Sequence, residues 1–186
     1  MAKKSKDYQQ MWIESGIDLP GRHIFINDDI GEEMADRLIS GLHLMDGDKP
    51  VTITLQTYGG DVDSMFATYD AIKGFHAEIV MKVSGYACSA GMIILQAADS
   101  RLIAPHAYAM HHVGEGSLGH QHPRNLEHAH NLYKRQMKMM ETILLTKIKE
   151  KHPDMTEAKF RNRHDWDIFL SAQETVDMGL ADAVSY

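Results

Sequence analysis

The stretch that most constrains this chain is VTITLQ, residues 51–56, followed by Gly59 and Gly60 and then by apolar residues at helical spacing. Val51, Ile53 and Leu55 fall on one side of a period-2 pattern and Thr52, Thr54 and Gln56 on the other, as in a strand with one face buried. The two glycines break that pattern. Asp61 is placed to cap a helix whose inner face is Val62, Met65, Phe66, Tyr69 and Ile72, and Gly74 weakens its end. A strand over residues 78–83 follows. Strand, glycine turn, helix and strand within some thirty residues is the plan of a parallel α/β sheet.

The same alternation runs through the rest of the chain. Residues 22–26 (RHIFI) read as a strand, and Ile30, Met34, Leu38, Leu42 and Met45 line one face of a following helix. Residues 89–98 are apolar nearly all round, which predicts a helix buried in the core. Short strands are expected at residues 101–104 and 107–111. The glycine-rich run VGEGSLG leads into a long helix, residues 124–151, whose stripe of Leu126, Ala129, Tyr133, Met137, Met140, Leu144 and Ile148 needs a partner surface. Ser171 with Glu174 forms a capping box and Gly179 suits a left-handed stop, so a short helix is expected over 171–178, then a last strand at 183–185. With 186 residues and 44% hydrophobic content, the expectation is one domain spanning 1–186, of which residues 1–20 form a polar tail.

Several function classes are disfavoured. A formal net charge of −7 leaves no clustered Lys and Arg for nucleic-acid phosphates. The longest strongly apolar stretch, residues 92–98, falls far short of the roughly 20 residues that span a bilayer, and the basic start MAKKSK is not followed by the apolar core of a secretory signal. The single cysteine, Cys88, fits a reducing compartment, so a soluble cytoplasmic protein is expected. His120, His122, His128 and His130 lack metal-site spacing, since pairs two apart lie on different faces of a helix; no metal or cofactor is expected. Asp28, Asp29, Glu32 and Glu33 read as charge complementing a helix start.

Serine chemistry needs a hydroxyl, a base, a group that orients the base, and donors for the developing oxyanion. Ser89 lies between Gly85 and Gly91 at a predicted helix start, where unpaired N–H groups favour negative charge. The G-x-S-x-G elbow is absent, because Ala87 stands at its first glycine. Cys88 has no cationic neighbour in sequence and reads as a small buried residue. On a strand His111 and His112 point to opposite faces, so only one can meet Ser89. Asp165 and Asp167 flank Trp166 and can share a face.

The runs YGGDVDSMFATYDAIKGF, GYACSAGMIILQAADSRLIAP, AYAMHH and DIFLSAQETVDMGLADAV together resemble, in order and spacing, the segments of the ClpP-type caseinolytic serine peptidases over residues 22–184. The resemblance implies the ClpP/crotonase-like spiral of β-β-α units with a projecting handle helix, the handle segment covering about 113–151. It also implies Ser89 as nucleophile, His112 as general base and Asp167 as the orienting acid. The backbone N–H groups of Gly59 and Ala90 become the oxyanion donors. Gly60, Asp61 and Val62 on one side, and Glu115 and Gly116 on the other, become the edges that hold an extended peptide. The implied activity is ATP-dependent serine endopeptidase action on unfolded polypeptides inside a homo-oligomer of two stacked seven-membered rings, served by an AAA+ unfoldase. Departures are TYGG for the family's SPGG, Ala90 for the usual methionine, a shorter N-terminal stretch MWIESGIDLPG, and Thr52 and Thr54 where aromatic residues often form the unfoldase-docking cleft. The alternatives are an inactive ClpP-like scaffold subunit and a crotonase-fold acyl-CoA hydratase or isomerase, which shares the fold but relies on carboxylates.

Overall fold

The computed structural model describes residues 14–112, 122–163 and 167–185. Its elements are β1 (Ile17–Asp18), β2 (His23–Ile26), α1 (Glu32–His43), β3 (Val51–Thr57), α2 (Val62–Lys73), β4 (Ile79–Cys88), α3 (Ala90–Leu95), β5 (Ser100–Ile103), β6 (Tyr108–His111), α4 (Pro123–Lys151), α5 (Glu157–Arg163), β7 (Ile168–Ser171), α6 (Ala172–Asp177) and β8 (Ala183–Val184). The sheet runs β1-β2-β3-β4-β5-β8, with β6 branching from β4 and β7 pairing only with β6. Among the described residues the β2–β3, β3–β4, β4–β5, β4–β6 and β5–β8 ladders are parallel, and β1–β2 and β6–β7 are antiparallel.

The alternation read in residues 51–56 is the one observed: Val51, Ile53 and Leu55 are buried and the residues between them only partly so. Met34, Leu38 and Leu42 of α1 join Ile24, Ile26, Ile53 and Leu55 in the core, each such side chain contributing about 1.5–3 kcal/mol by its removal from water. Asp61 caps α2 by accepting from the Ser64 N–H at 2.7 Å, which holds its carboxyl below the ordinary carboxylate range. Helix α3 is buried on every side, as its composition requires.

Four expectations need correction. The strand expected to stop at residue 83 continues to Cys88. Between Leu55↔Val83 and Thr57↔Ala87 the register slips, so β4 bulges at Ser84 and Gly85, where Gly85 has φ +83°. A bulge reads in sequence as an end but in space as a bend. Beyond it β4 leaves β5 and takes β6 as neighbour, with Tyr86↔Tyr108 and Cys88↔Met110. The helix expected over 89–98 is shorter, Ala90–Leu95. Part of the expected tail is structured: β1 pairs with β2 and buries Ile17. On α2, Thr68 is fully buried while Val62, Phe66 and Tyr69 are only partly so; the Thr68 hydroxyl satisfies itself on the Ser64 carbonyl at 2.8 Å.

Helix α4 divides into two halves. Met140, Leu144, Leu145 and Ile148 lie in the core, whereas Leu126, Leu132 and Met139 remain exposed. Its root is tied down by Arg161, which donates to both oxygens of Glu141, and by Gln136, which donates to Asp63 at 2.6 Å. The chain end is clamped under α3. Arg101, 5% exposed, donates to Gln96 Oε1, to the Gly179 carbonyl and to both carboxylate oxygens of Asp182, while Gln96 donates to the Leu180 carbonyl.

Candidate active site

The site forms where the parallel strands β3 and β4 end and hand over to helices, the position at which open α/β sheets place their ligands. The β4 bulge carries the strand on to Ser89, whose N–H donates to the Met110 carbonyl of β6 at 2.8 Å. That bond fastens the serine to the strand that delivers the histidine. Ser89 sits at φ 51°, ψ −118°, a region sparsely populated by residues with a Cβ. The strained strand-to-helix turn of a nucleophile elbow is therefore present without its G-x-S-x-G sequence. Although Ser89 occupies the N-cap position of α3, its side chain does not cap the helix.

The Ser89 hydroxyl points instead at His112, with Oγ 2.7 Å from Nε2. With Nε2 unprotonated, the hydroxyl donates to it, which is the arrangement a general base needs. His111, the neighbour on β6, lies 5.9 Å from the Phe160 ring, centroid to centroid. Asp167 directly precedes β7. The antiparallel register ends at His111↔Ile168, so one further step brings Asp167 alongside His112. Asp167 is exposed, and no hydrogen bond or ion pair joins it to His112 in this structure. Asp165 lies outside the described residues.

The two expected oxyanion donors also flank Ser89. Ala90 is the first residue of α3, so its N–H has no intrahelical acceptor. Gly59 packs directly on Ser89: a Cβ there would lie 2.7 Å from Ser89 Cβ and 3.1 Å from Ala90 N. Its N–H donates to the Thr57 hydroxyl at 3.1 Å, so accepting an oxyanion would mean sharing or exchanging that bond. The Gly60–Val62 edge is held by Ile30, which donates to the Gly59 carbonyl at 2.8 Å and accepts from the Asp61 N–H at 2.7 Å. Glu115 and Gly116, the expected opposite edge, lie outside the described residues.

Ser89 and His112 open into a cavity of about 580 Å³ that also takes in Gly60, Asp61, Val62 and Ala90. Its far wall is Met65, Ile93, Met137 and Met140, with Tyr133 and Gln136 at the root of α4. Met65, Met137 and Met140 fall on apolar helix faces in the sequence, where nothing signals that two separate helices, α2 and α4, bring them to one pocket. Cys88 is buried, and burial pushes its thiol pKa up, only partly offset by the Tyr108 hydroxyl; it is held as an inert thiol. Among the described residues no group of three His, Cys, Asp or Glu is placed to hold a metal ion, and no helix is long and apolar enough to cross a membrane.

Residues 10–186 match the family model described as Clp protease. The chain is 28% identical over 171 residues to the ATP-dependent Clp protease proteolytic subunit of Deinococcus radiodurans, covering 89% of this chain and 81% of that one. It is 27% identical over 181 residues to the ATP-dependent Clp protease proteolytic subunit 2 of Prochlorococcus marinus strain NATL2A, covering 94% and 88%. A solved structure of a ClpP1 mutant from Listeria monocytogenes superposes with a TM-score of 0.77 over 90% of this chain and 92% of that one at 23% identity, which shows the shared α/β fold.

Proposed function

Since the chain belongs to the Clp protease family, we propose that it is a serine endopeptidase in which Ser89 attacks the scissile carbonyl, His112 takes its proton, and Asp167 orients the imidazolium. The single observation that carries this reading is the 2.7 Å approach of His112 Nε2 to Ser89 Oγ. As Ser89 Oγ bonds to the carbonyl carbon, its proton passes to Nε2, and the carbonyl oxygen gathers negative charge beside the Ala90 and Gly59 N–H groups. Collapse of the tetrahedral species expels the amine, which takes the proton from Nε2, and water then hydrolyses the acyl-enzyme by the same base. Asp167 supports Nδ1 once a small shift of the β6–β7 edge closes the gap, a tightening common between free and substrate-bound sites.

The substrate is a polypeptide held in extended form along Gly60, Asp61 and Val62 and, across from them, Glu115 and Gly116. Backbone pairing of this kind reads few side chains. The apolar wall of Met65, Ile93, Met137 and Met140 suits an apolar side chain next to the scissile bond. The exposed Leu126, Leu132 and Met139 on α4 suit assembly with further copies into a closed chamber, two seven-membered rings in the family's pattern. In the family's pattern an AAA+ unfoldase would feed such a chamber; in this chain Thr52 and Thr54 replace the aromatic residues that usually help dock it.

Fluorophosphonate labelling of Ser89, lost in Ser89→Ala and kept in Cys88→Ser, together with Ser89-dependent cleavage of a short fluorogenic peptide, is the expected result. Cleavage that persists in Ser89→Ala, or turnover of an enoyl-CoA in place of peptide, would overturn the reading. An unlabelled Ser89 in a folded assembly would leave the scaffold role instead.

A further inference from the structure

Tyr58 occupies the position before Gly59, where the family's turn carries proline, and the serine–histidine mechanism makes no use of it. It is 61% exposed and lines the cavity that holds Ser89. An exposed tyrosine is ordinarily unremarkable, because folded proteins leave much apolar surface in water. This one is held. Its ring stacks on Tyr86 at 4.0 Å between centroids and 20° between planes. Tyr86 in turn meets Tyr108 at 6.0 Å, and Tyr108 meets Phe169 at 6.0 Å. The four rings form a ladder from the end of β3 across β4 and β6 to β7.

Register fixes which face the ladder occupies. Tyr86 pairs with Tyr108, and Phe169 pairs with Met110, two residues from Tyr108. Side chains two apart on a strand share a face, so Tyr108, Met110 and His112 point the same way. The ladder therefore lies on the face that presents the histidine. Backed by Tyr86, the Tyr58 ring keeps one side against a partner and the other toward the cavity, so ordering it on binding costs little conformational entropy.

The turn also sets a direction. Gly59 separates the Gly60–Val62 edge from Tyr58 along the chain. A peptide paired with that edge, its scissile carbonyl turned to the Gly59 and Ala90 N–H groups, continues past Ser89 toward Tyr58. We propose that Tyr58, backed by Tyr86 and Tyr108, is a specificity-determining residue whose free ring face forms a subsite on the leaving-group side of the scissile bond, taking an aromatic side chain. This rests on the serine peptidase reading given above. Aromatic pairs prefer offset stacking at the separations seen within the ladder itself, so an incoming phenyl ring extends the ladder by one.

Two internally quenched peptides, identical except for Phe or Ala as the first residue after the scissile bond, test this. The cleavage point is verified by mass spectrometry, and the ratio of the two kcat/KM values is taken for each protein. The ratio within one preparation does not depend on the fraction folded. The wild type should favour Phe roughly three- to tenfold, Tyr58→Ala should bring the ratio close to one, and Tyr58→Phe, which keeps the ring, should retain it. The same ratio is read from how strongly each peptide slows fluorophosphonate labelling of Ser89, so slow turnover does not hide it. A wild-type ratio near one, or a preference that survives Tyr58→Ala, overturns the subsite. So does an unaltered ratio accompanied by a lower native mass in Tyr58→Ala, which would make the ladder a contact between copies. Absence of Ser89 labelling in the wild type overturns the peptidase reading and the subsite together; a labelled enzyme with an unaltered ratio overturns the subsite alone.

Discussion

At Asp167 the structure brings the carboxyl into the row beside His112 without bonding it. If Asp167 orients the base, Asp167→Asn should leave Ser89 and His112 in place yet lower kcat roughly 10³- to 10⁴-fold, because the amide favours the wrong imidazole tautomer; Asp165→Asn should leave the rate nearly unaltered. Steady-state kinetics on a fluorogenic peptide decide between the two carboxylates. Gly60 has φ +150°, and a Cβ there would lie 2.2 Å from the Ile30 carbonyl oxygen. Gly60→Ala should therefore destabilise by about 1–3 kcal/mol from backbone strain alone, read as a lower urea midpoint, and should disturb the proposed peptide-binding edge that Ile30 holds. The residue type at Ser89, His112 and Gly60 was legible in the linear sequence. The elbow strain at Ser89 was not, because φ +51° at a non-glycine residue is imposed by β4, β6 and α3 meeting there.

Among the elements, β4 and α4 show what a one-dimensional pattern can carry. The 3.6 periodicity of α4 was legible from Leu126 to Ile148, and it specifies a stripe. It does not say that Leu126 stays exposed, as do Leu132 and Met139 beside the stripe, while Met140, Leu144, Leu145 and Ile148 enter the core. If these exposed side chains seat against other copies, Leu132→Glu combined with Met139→Glu should lower the native mass in light scattering while leaving the circular dichroism spectrum intact. A charge placed on an exposed helix position costs the folded subunit little, but it is expensive in an apolar interface. For β4 the sequence pattern failed at Ser84 and Gly85, since glycine and a polar residue end most strands and here mark a bulge.

For the molecule as a whole, the long-range clamp of Arg101 on Gln96, Gly179 and Asp182 joins residues 179–182 to the helix that follows Ser89. Arg101→Met should cost roughly 2–4 kcal/mol, because Gln96 Oε1 and the Gly179 carbonyl would lose their charged donor inside the core; the urea midpoint measures it. The clamp also carries a pH signature. Burial pushes the Asp182 carboxyl up, but the hydrogen bonds and charge of Arg101 outweigh it and leave the pKa below the ordinary 3.8. The folded state then binds the proton less readily than the unfolded chain. The stabilisation is complete above about pH 5 and is lost progressively as pH falls through 3.8 and below. Wild type should lose more stability than Asp182→Asn over that acid range in urea titrations.

The sequence alone determined the alternation of strands and helices, the Asp61 and Ser171 caps and the buried α3, because each rests on short-range periodicity or local capping; Ser89 and His112 became candidates through the family resemblance of their segments. Tertiary structure alone decided that β4 bends past its glycine to deliver Ser89, that Met65, Ile93, Met137 and Met140 close one cavity, and that Tyr58 stacks on Tyr86 with the tilted rings of Tyr108 and Phe169 beyond. Those contacts join residues tens of positions apart, and strand order and register, which bring them together, leave no local trace in the order of amino acids.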